Sequence, residues 1–141
     1  MFYTEILNKN RDFLNLYKKG RSIVSKSVVI YVKKNGLPYN RFGITAGKKV
    51  GNAVMRNRAK RIIRQAYREN EILFPLGIDI IFVARKSATE VKSDYLSAYI
   101  RNNVISTVRS IFDLPGDKKS EWVFKENTDF SYKVVQEIYF T

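Results

Sequence analysis

The chain has 141 residues, of which 45% are hydrophobic, so it can form one domain with a modest core but is short for two. Its 26 Lys and Arg against 13 Asp and Glu give a net charge of +13, which indicates a polyanionic partner. The absence of Cys and His excludes disulfides and thiolate zinc sites and removes the commonest general base. Without a membrane-length apolar run or a signal-peptide pattern at the start, we expect a cytoplasmic protein that binds nucleic acid rather than membrane.

The first predicted element is a short helix near residue 10. Asn10 or Asp12 can cap it, and Gly20 can end it. The helical spacing groups three of its apolar residues, which are Phe13, Leu14 and Tyr17.

Residues 23–34 are rich in β-branched side chains and predict one strand. Alternation places Val28, Ile30 and Val32 on one face, and Val29 and Tyr31 on the other. A turn that starts at Asn35-Gly36 then leads to a second strand at 41–46. We expect this strand to pair antiparallel with the first, because a short turn connects them.

The most unusual stretch runs from Arg41 to Arg68 and carries nine Lys or Arg and no acid. Within it, Gly51-Asn52 supplies a hinge and an N-cap for a helix from about Ala53. At about 100° per residue, this helix separates into two faces. The cationic face holds Arg56, Asn57, Lys60, Arg61, Arg64 and Arg68, and the opposite face holds Met55, Ala59, Ile62, Ile63 and Ala66.

Such a cationic face favours binding to a phosphate backbone over the alternative, a solvated surface, because no acid is interleaved with the bases. The free N–H groups at the helix start also favour an anion, and phosphate is the obvious one. Arg58 points away from the stripe and reaches either a second phosphate or solvent.

After the basic helix, Pro75-Leu76-Gly77 breaks the chain before IDIIFVA, which predicts a buried central strand. Ser93 or Asp94 can cap a last long helix. Its apolar residues recur at i+3 and i+4 spacing: Leu96, Tyr99, Ile100, Val104, Val108, Ile111 and Phe112. These elements predict an α+β fold in which helices cover a sheet of at least three strands.

Composition changes after Phe112, where LPGD predicts a turn and residues 113–141 carry six acids against four bases. We therefore expect a domain over residues 1–112 and an extension of unknown role over 113–141. In the extension, WVFK and YKVVQEIYF fit two strands, and the second also fits a helix. One alternative is that the extension packs on the domain. The other is that it covers the cleft lined by basic residues or recruits a protein.

No protein active site is evident. The segment from Gly43 to Lys49 fails the phosphate-loop pattern in spacing and lacks its hydroxyl. Asp79 lies in an apolar strand and fits a structural role better than a catalytic one. Aromatics among bases are the second functional candidate, because Phe13, Tyr17 and Tyr31 can stack unpaired bases. The alternative is that these rings are ordinary core residues.

The segment KKVGNAVMRNRAKRIIRQAYR resembles the signature of the bacterial ribonuclease P protein subunit, with its RNR motif at Arg56-Asn57-Arg58. Weaker likeness in RDFLNLYKKG and IDIIFVARKSA extends the resemblance over roughly residues 8–112. The resemblance implies that Phe13, Tyr17 and Tyr31 contact the 5′ leader of precursor tRNA. It implies contacts to the catalytic RNA from Lys48, Lys49, Asn52, Arg56, Asn57, Arg58, Lys60, Arg61, Arg64 and Arg68.

The resemblance further implies a small, mostly antiparallel sheet covered by helices, related to a ribosomal protein domain and containing a left-handed β-α-β crossover. It implies an endoribonuclease subunit whose RNA partner performs the chemistry with Mg²⁺, with no catalytic residue, tightly bound metal or obligate protein partner in this chain. Two other classes remain as alternatives. One is a noncatalytic ribosomal or other structural RNA-binding protein, and the other is a protein nuclease with a carboxylate metal site.

Overall fold

The computed structural model describes residues 2–111, which form a mixed sheet covered by helices on both faces. The strands are β1 (Thr4–Ile6), β2 (Arg21–Val24), β3 (Val28–Lys34), β4 (Asn40–Ala46) and β5 (Ile78–Ala84). The helices are α1 (Asn10–Lys19), α2 (Ala53–Asn70), α3 (Ser93–Tyr99) and α4 (Ile105–Ser110). A π-helical turn at Ile100–Val104 joins α3 to α4, and 3₁₀ turns occupy Lys48–Val50, Glu71–Leu73 and Lys86–Thr89. The α+β class is confirmed.

The sheet order is β1-β4-β5-β3-β2, with β5 at the centre. All seven residues of β5 are buried, which confirms the prediction of a buried central strand. The predicted antiparallel pairing of strand 41–46 with the preceding strand is wrong. β4 pairs in parallel with β5 and β1, and β5 lies between β3 and β4. The connection β4–α2–β5 is therefore the crossover to which the left-handed expectation applies.

The two faces of the sheet support separate cores, and the predicted alternation along β3 is confirmed. Val28, Ile30 and Val32 pack in the larger core, which β3 shares with α2, α3 and α4. Val29 and Tyr31 pack in the smaller core under α1, whose Leu16 is almost fully buried. The sheet thus keeps α1 and α2 on opposite faces.

The predicted single strand over 23–34 is two strands, because Ser25 closes a tight turn between β2 and β3. Its hydroxyl accepts from the Val28 N–H at 3.0 Å and donates to the Val28 carbonyl at 2.9 Å. The two strands then pair antiparallel, with Ile23 opposite Ile30. Sequence reasoning also missed β1, whose three residues are too few to show a period.

The predicted helix caps are right at one N-terminus only. Asn52 caps α2, but neither Asn10 nor Asp12 caps α1, whose N-cap is Lys9. Likewise Ser93 and Asp94 lie inside α3, whose N-cap is Lys92. At the end of α1 the prediction is confirmed, since the Gly20 N–H donates to the Leu16 carbonyl at 2.8 Å.

The apolar spacing of the last helix is confirmed by its burial. The buried members of the predicted set are Leu96, Ile100, Val104 and Val108, and Tyr99 and Ile111 pack against them. In α1, Leu14 is exposed rather than clustered with Phe13 and Tyr17.

Several predictions concern residues outside the described part of the chain. They are the end of the last helix at Phe112, the LPGD turn, and the two strands proposed for the extension over 113–141. The division into a domain at 1–112 and an extension stays a prediction. Among the described helices, none combines the length and apolar character that crossing a membrane requires.

Candidate nucleic-acid interface

α2 is amphipathic, and because its apolar side packs on the core, its polar side faces outward. Ala59, Ile63 and Ala66 are buried and Ile62 packs against the core, as predicted. Met55 is an exception, because it is exposed at the first turn. The side chain of Asn52 accepts a hydrogen bond from the Met55 N–H at 3.0 Å, which satisfies one of the free donors of the helix start.

The polar side of α2 carries the predicted cationic residues. Arg56, Lys60 and Arg64 are half-buried, and Asn57, Arg58, Arg61 and Arg68 are exposed. Within residues 2–111, no side chain of Arg56, Arg58, Lys60, Arg61, Arg64 or Arg68 forms an ion pair. This face is therefore a stripe of cations available to an external polyanion.

Arg41, the first base of the Arg41–Arg68 run, is engaged inside the protein. The Arg41 guanidinium donates to both carboxylate oxygens of Asp79, at 2.8 and 2.6 Å. Asp79 also accepts from the Asn35 amide at 3.0 Å. The structural interpretation of Asp79 is thus supported, and Arg41 is not free to bind an external anion.

The turn Lys48–Val50 connects the end of β4 to the start of α2. Val50 is buried and anchors the turn, whereas Lys48 and Lys49 are exposed. Gly51 follows with a φ of 139°, in the region that favours glycine. A Cβ at Gly51 would lie 2.5 Å from the sulfur of the exposed Met55 side chain, which can shift, so the backbone conformation is what requires glycine here.

A groove of about 700 Å³ lies where the parallel strands β4 and β5 end. Its wall includes Tyr17 of α1, the Lys48–Val50 turn, and the residues that leave β5. The groove-lining residues are Tyr17, Thr45, Gly47, Lys48, Lys49, Val50, Val83, Ala84, Arg85 and Lys86. Four cations and one aromatic ring thus border one concave surface, and no carboxylate from residues 2–111 lines it.

The three predicted leader-binding rings form a series on this face of the sheet. The centroids of Phe13 and Tyr17 are 6.4 Å apart, and those of Tyr17 and Tyr31 are 5.1 Å apart in an edge contact. Only Tyr17 lines the groove. Phe13 is half-buried over Gly43, where an added Cβ would lie 2.7 Å from the Phe13 Cζ atom.

Tyr31 is the most deeply placed of these rings, with 2% of its surface exposed. Burial, and secondarily the neighbouring Tyr17, raises the pKa of Tyr31 well above its ordinary value. Its hydroxyl has no hydrogen-bond partner among the described residues. Because its face is covered, Tyr31 supports Tyr17 from below rather than offering a stacking surface of its own.

Sequence reasoning missed Thr45, Arg85 and Lys86 as members of this surface. Arg85 is held in place, because its guanidinium donates to the Ser25 carbonyl at 2.7 Å. The sequence did contain a signal for this surface. Arg85-Lys86 directly follows the buried strand β5, and Lys48-Lys49 closely follows β4. Parallel neighbouring strands bring such residues to the same edge of a sheet.

Comparisons with known proteins agree with these features. A family model described as Ribonuclease P matches residues 1–109. The ribonuclease P protein component of Alkaliphilus metalliredigens is 48% identical over 84 residues, covering 60% of this chain and 76% of that protein. The corresponding Clostridioides difficile protein is 44% identical over 110 residues, covering 77% of this chain and 96% of that protein.

Two solved structures share the fold. The ribonuclease P protein of Thermotoga maritima superposes with a TM-score of 0.65 at 34% identity, covering 72% of this chain and 96% of that one. The Staphylococcus aureus protein gives 0.64 at 34% identity, covering 77% of this chain and 98% of that one. The family model and these relatives, together with the RNR motif on a capped cationic helix, show that the chain belongs to the ribonuclease P protein family.

Proposed function

We propose that this chain is the protein subunit of ribonuclease P and assists removal of the 5′ leader from precursor tRNA. It does so by binding the catalytic RNA and the leader at once, while the RNA subunit performs the cleavage. The observation that carries this proposal is the junction at residues 48–52. There, the groove that contains Tyr17 meets the start of the cationic helix α2.

The α2 stripe is assigned to the catalytic RNA. Its guanidinium groups suit phosphate oxygens, which they can bind in a bidentate manner. Its cations run from Arg56 to Arg68 and so present charge along about 18 Å of the helix. A structured RNA offers a fixed array of phosphates to such a rigid surface. Asn52 and the free N–H groups at the helix start add a further phosphate contact.

The groove is assigned to the single-stranded leader. Lys48, Lys49 and Lys86 at its rim attract the phosphate backbone, and Tyr17 offers a ring for a base. Its remaining wall is largely apolar and contains few groups that could read base edges, so affinity should depend little on leader sequence. Phe13 and Tyr31 are assigned the role of fixing the Tyr17 ring, since both rings pack against it.

Mg²⁺ is assigned to the RNA subunit. Mg²⁺ prefers carboxylate and water oxygens, and the groove is lined by cations and apolar groups. No group of three or more Asp or Glu side chains in residues 2–111 could hold a metal ion. When bound to the RNA, the metal supplies the Lewis acid for hydrolysis. The protein's cations lower the repulsion between the two RNA molecules, which extra Mg²⁺ otherwise screens.

The test is reconstitution of the full-length protein with its cognate catalytic RNA and a precursor tRNA. At low Mg²⁺ the protein should raise cleavage by that RNA, and high Mg²⁺ should reduce the difference. The RNA-free protein alone should not cleave. Efficient cleavage by the purified protein alone would assign the chemistry to the protein. Failure to stimulate any cognate RNA would favour a structural RNA-binding protein instead.

A further inference from the structure

The described chain leaves several large apolar side chains exposed near its N-terminal strand and just beyond the C-terminal end of α2. We name this group the N-terminal patch and define it as Phe2, Ile6, Ile72 and Leu76. Their exposed fractions are 91%, 57%, 76% and 53%. Scattered exposed apolar residues are normal, but a contiguous group usually marks a contact surface.

Hydrogen bonds hold the backbone of this patch together. The Glu71 carboxylate accepts from the Phe2 N–H at 2.8 Å and the Tyr3 N–H at 3.1 Å, and Ile72 is the next residue. The Asn40 N–H donates to the Tyr3 carbonyl, and the Asn40 side chain accepts from the Gly77 N–H beside Leu76. These bonds hold the backbone beside Phe2, Ile72 and Leu76 together, and Ile6 follows on the paired strand β1.

The patch also adjoins an open edge of the sheet. Among the described strands, β1 has a neighbour on one side only, which is β4. An edge strand with free N–H and C=O groups beside exposed apolar side chains favours further chain packing there.

The described chain ends next to this patch. The Arg109 guanidinium of α4 donates to the Leu73 carbonyl at 3.1 Å, and Leu73 directly follows Ile72. Ile111, two residues after Arg109, is the last described residue. The 30 residues from 112 to 141 thus start beside the patch, and an extended chain spans about 3.3 Å per residue, so a third of them can cross it.

The composition of residues 112–141 matches this surface. They include the only tryptophan of the chain, Trp122, and the apolar run YKVVQEIYF at 132–140. We propose that residues 112–141 dock on the N-terminal patch of the same molecule and bury Phe2, Ile6, Ile72 and Leu76.

This assignment places the extension at the end of α2 opposite the groove and the RNR motif. Ile72 lies just beyond the C-terminal end of α2, about 25 Å from the Lys48–Val50 turn at the other end of the helix. The groove and the RNR motif are then left open to RNA in the full-length protein. The proposal does not depend on the function assigned above.

Trp122 provides the test, because its fluorescence reports on the extension alone in the full-length chain. In the unaltered protein, the Trp122 emission should be blue-shifted relative to the urea-unfolded chain. Acrylamide should also quench it less than in the unfolded chain. The double variant Ile72→Asp/Leu76→Asp should shift the emission to the red and increase quenching severalfold. The matched control is Val54→Asp/Tyr95→Asp, at residues 73% and 62% exposed and outside the patch. It should behave like the unaltered protein.

Because the chain has no cysteine, a nitroxide can be attached at a single Ile72→Cys site. It should quench Trp122 at short range, whereas the same label at Val54→Cys should not. Three results would overturn the proposal. The first is a Trp122 side chain that is fully exposed in the unaltered protein. The second is a Trp122 emission that neither the patch variant nor the nitroxide at Ile72→Cys changes, and the third is protection of Trp122 from acrylamide that disappears on dilution. The last result would place the extension on a second copy.

Discussion

Arg41 and Asp79 are direct neighbours in the register of the parallel strands β4 and β5, and their side chains form a bidentate ion pair. The Asp79 side chain is nearly buried, whereas 29% of that of Arg41 is exposed. The Arg41 guanidinium also lies 3.8 Å from Asp12 of α1, so it links two strands and a helix.

This pair should respond asymmetrically to mutation. Arg41→Met leaves the Asp79 carboxylate buried with Asn35 as its remaining donor, and should cost about 3 kcal/mol of unfolding free energy. Asp79→Asn removes the buried charge and leaves Arg41 able to turn toward Asp12 and solvent, so it should cost about 1 kcal/mol. Urea denaturation of both variants measures the difference. If both variants lost the same unfolding free energy, the different burial of Arg41 and Asp79 would not be the cause.

The Glu71 carboxylate should make stability depend on pH. Burial opposes its ionisation, but hydrogen bonds from the Thr4 hydroxyl and the Phe2 and Tyr3 N–H groups outweigh burial and lower the pKa of Glu71. A lowered folded-state pKa gives stability that is present above the unfolded value of about 4.3 and is lost as pH falls through the folded value.

We therefore expect Glu71→Gln to cost about 2 kcal/mol near pH 7. The difference from the unaltered protein should stay constant down to about pH 5 and shrink below about pH 4.3. Denaturation curves at several pH values measure it, and Glu90→Gln, at an exposed position, serves as the control. A difference that grows on acidification would contradict the assignment.

The RNR motif should contribute to catalytic-RNA binding through charge. Arg56→Ala/Arg58→Ala should weaken affinity and flatten the logarithmic salt dependence by somewhat less than about one unit per lost phosphate contact. Lys9→Ala/Lys92→Ala removes the same charge from exposed positions outside α2 and the groove and should have a smaller effect. If both double variants change affinity and slope equally, the stripe acts only through net charge.

The Tyr17 ring should contribute to leader affinity. Tyr17→Ala should cost up to about 1 to 3 kcal/mol in binding of a precursor whose leader reaches the groove. Tyr17→Leu keeps much of the bulk, so it should restore folding more than binding. The measurement compares precursors with several leader nucleotides and with one, bound to the assembled enzyme. The variants should match the unaltered protein on the short leader, and an equal loss on both would exclude direct contact.

A variant of Tyr31 should show whether this residue only supports the Tyr17 ring or also contacts the leader. Its buried hydroxyl has no partner among residues 2–111, so Tyr31→Phe should leave the unfolding free energy unchanged or raise it by about 1 kcal/mol. The ring stays in place below Tyr17, and leader affinity should therefore be unchanged. A marked loss of leader affinity in a fully folded Tyr31→Phe protein would show that the hydroxyl takes part in binding.

Much of the site could be predicted from local patterns. A helix is stabilised by contacts within a few residues, so the apolar period of α2 and its cap at Asn52 are visible in the sequence. The alternation of Val29 and Tyr31 against Val28 and Ile30 is equally local, and it correctly assigned the faces of β3. The RNR motif lies within this helix, which is why the resemblance and the periodicity identify the same surface.

Only the tertiary structure decided which strands are neighbours. Backbone hydrogen bonds between strands do not depend on side-chain identity, so the sequence of β4 alone does not distinguish β3 from β5 as its partner. Placing β5 between them brought Arg85 and Lys86 to the edge where Lys48 and Lys49 leave β4. The same placement put Asp79 beside Arg41, so that one cation of the Arg41–Arg68 stretch forms an internal ion pair. The sequence shows where the charged residues lie along the chain, and long-range strand pairing determines which of them share a surface.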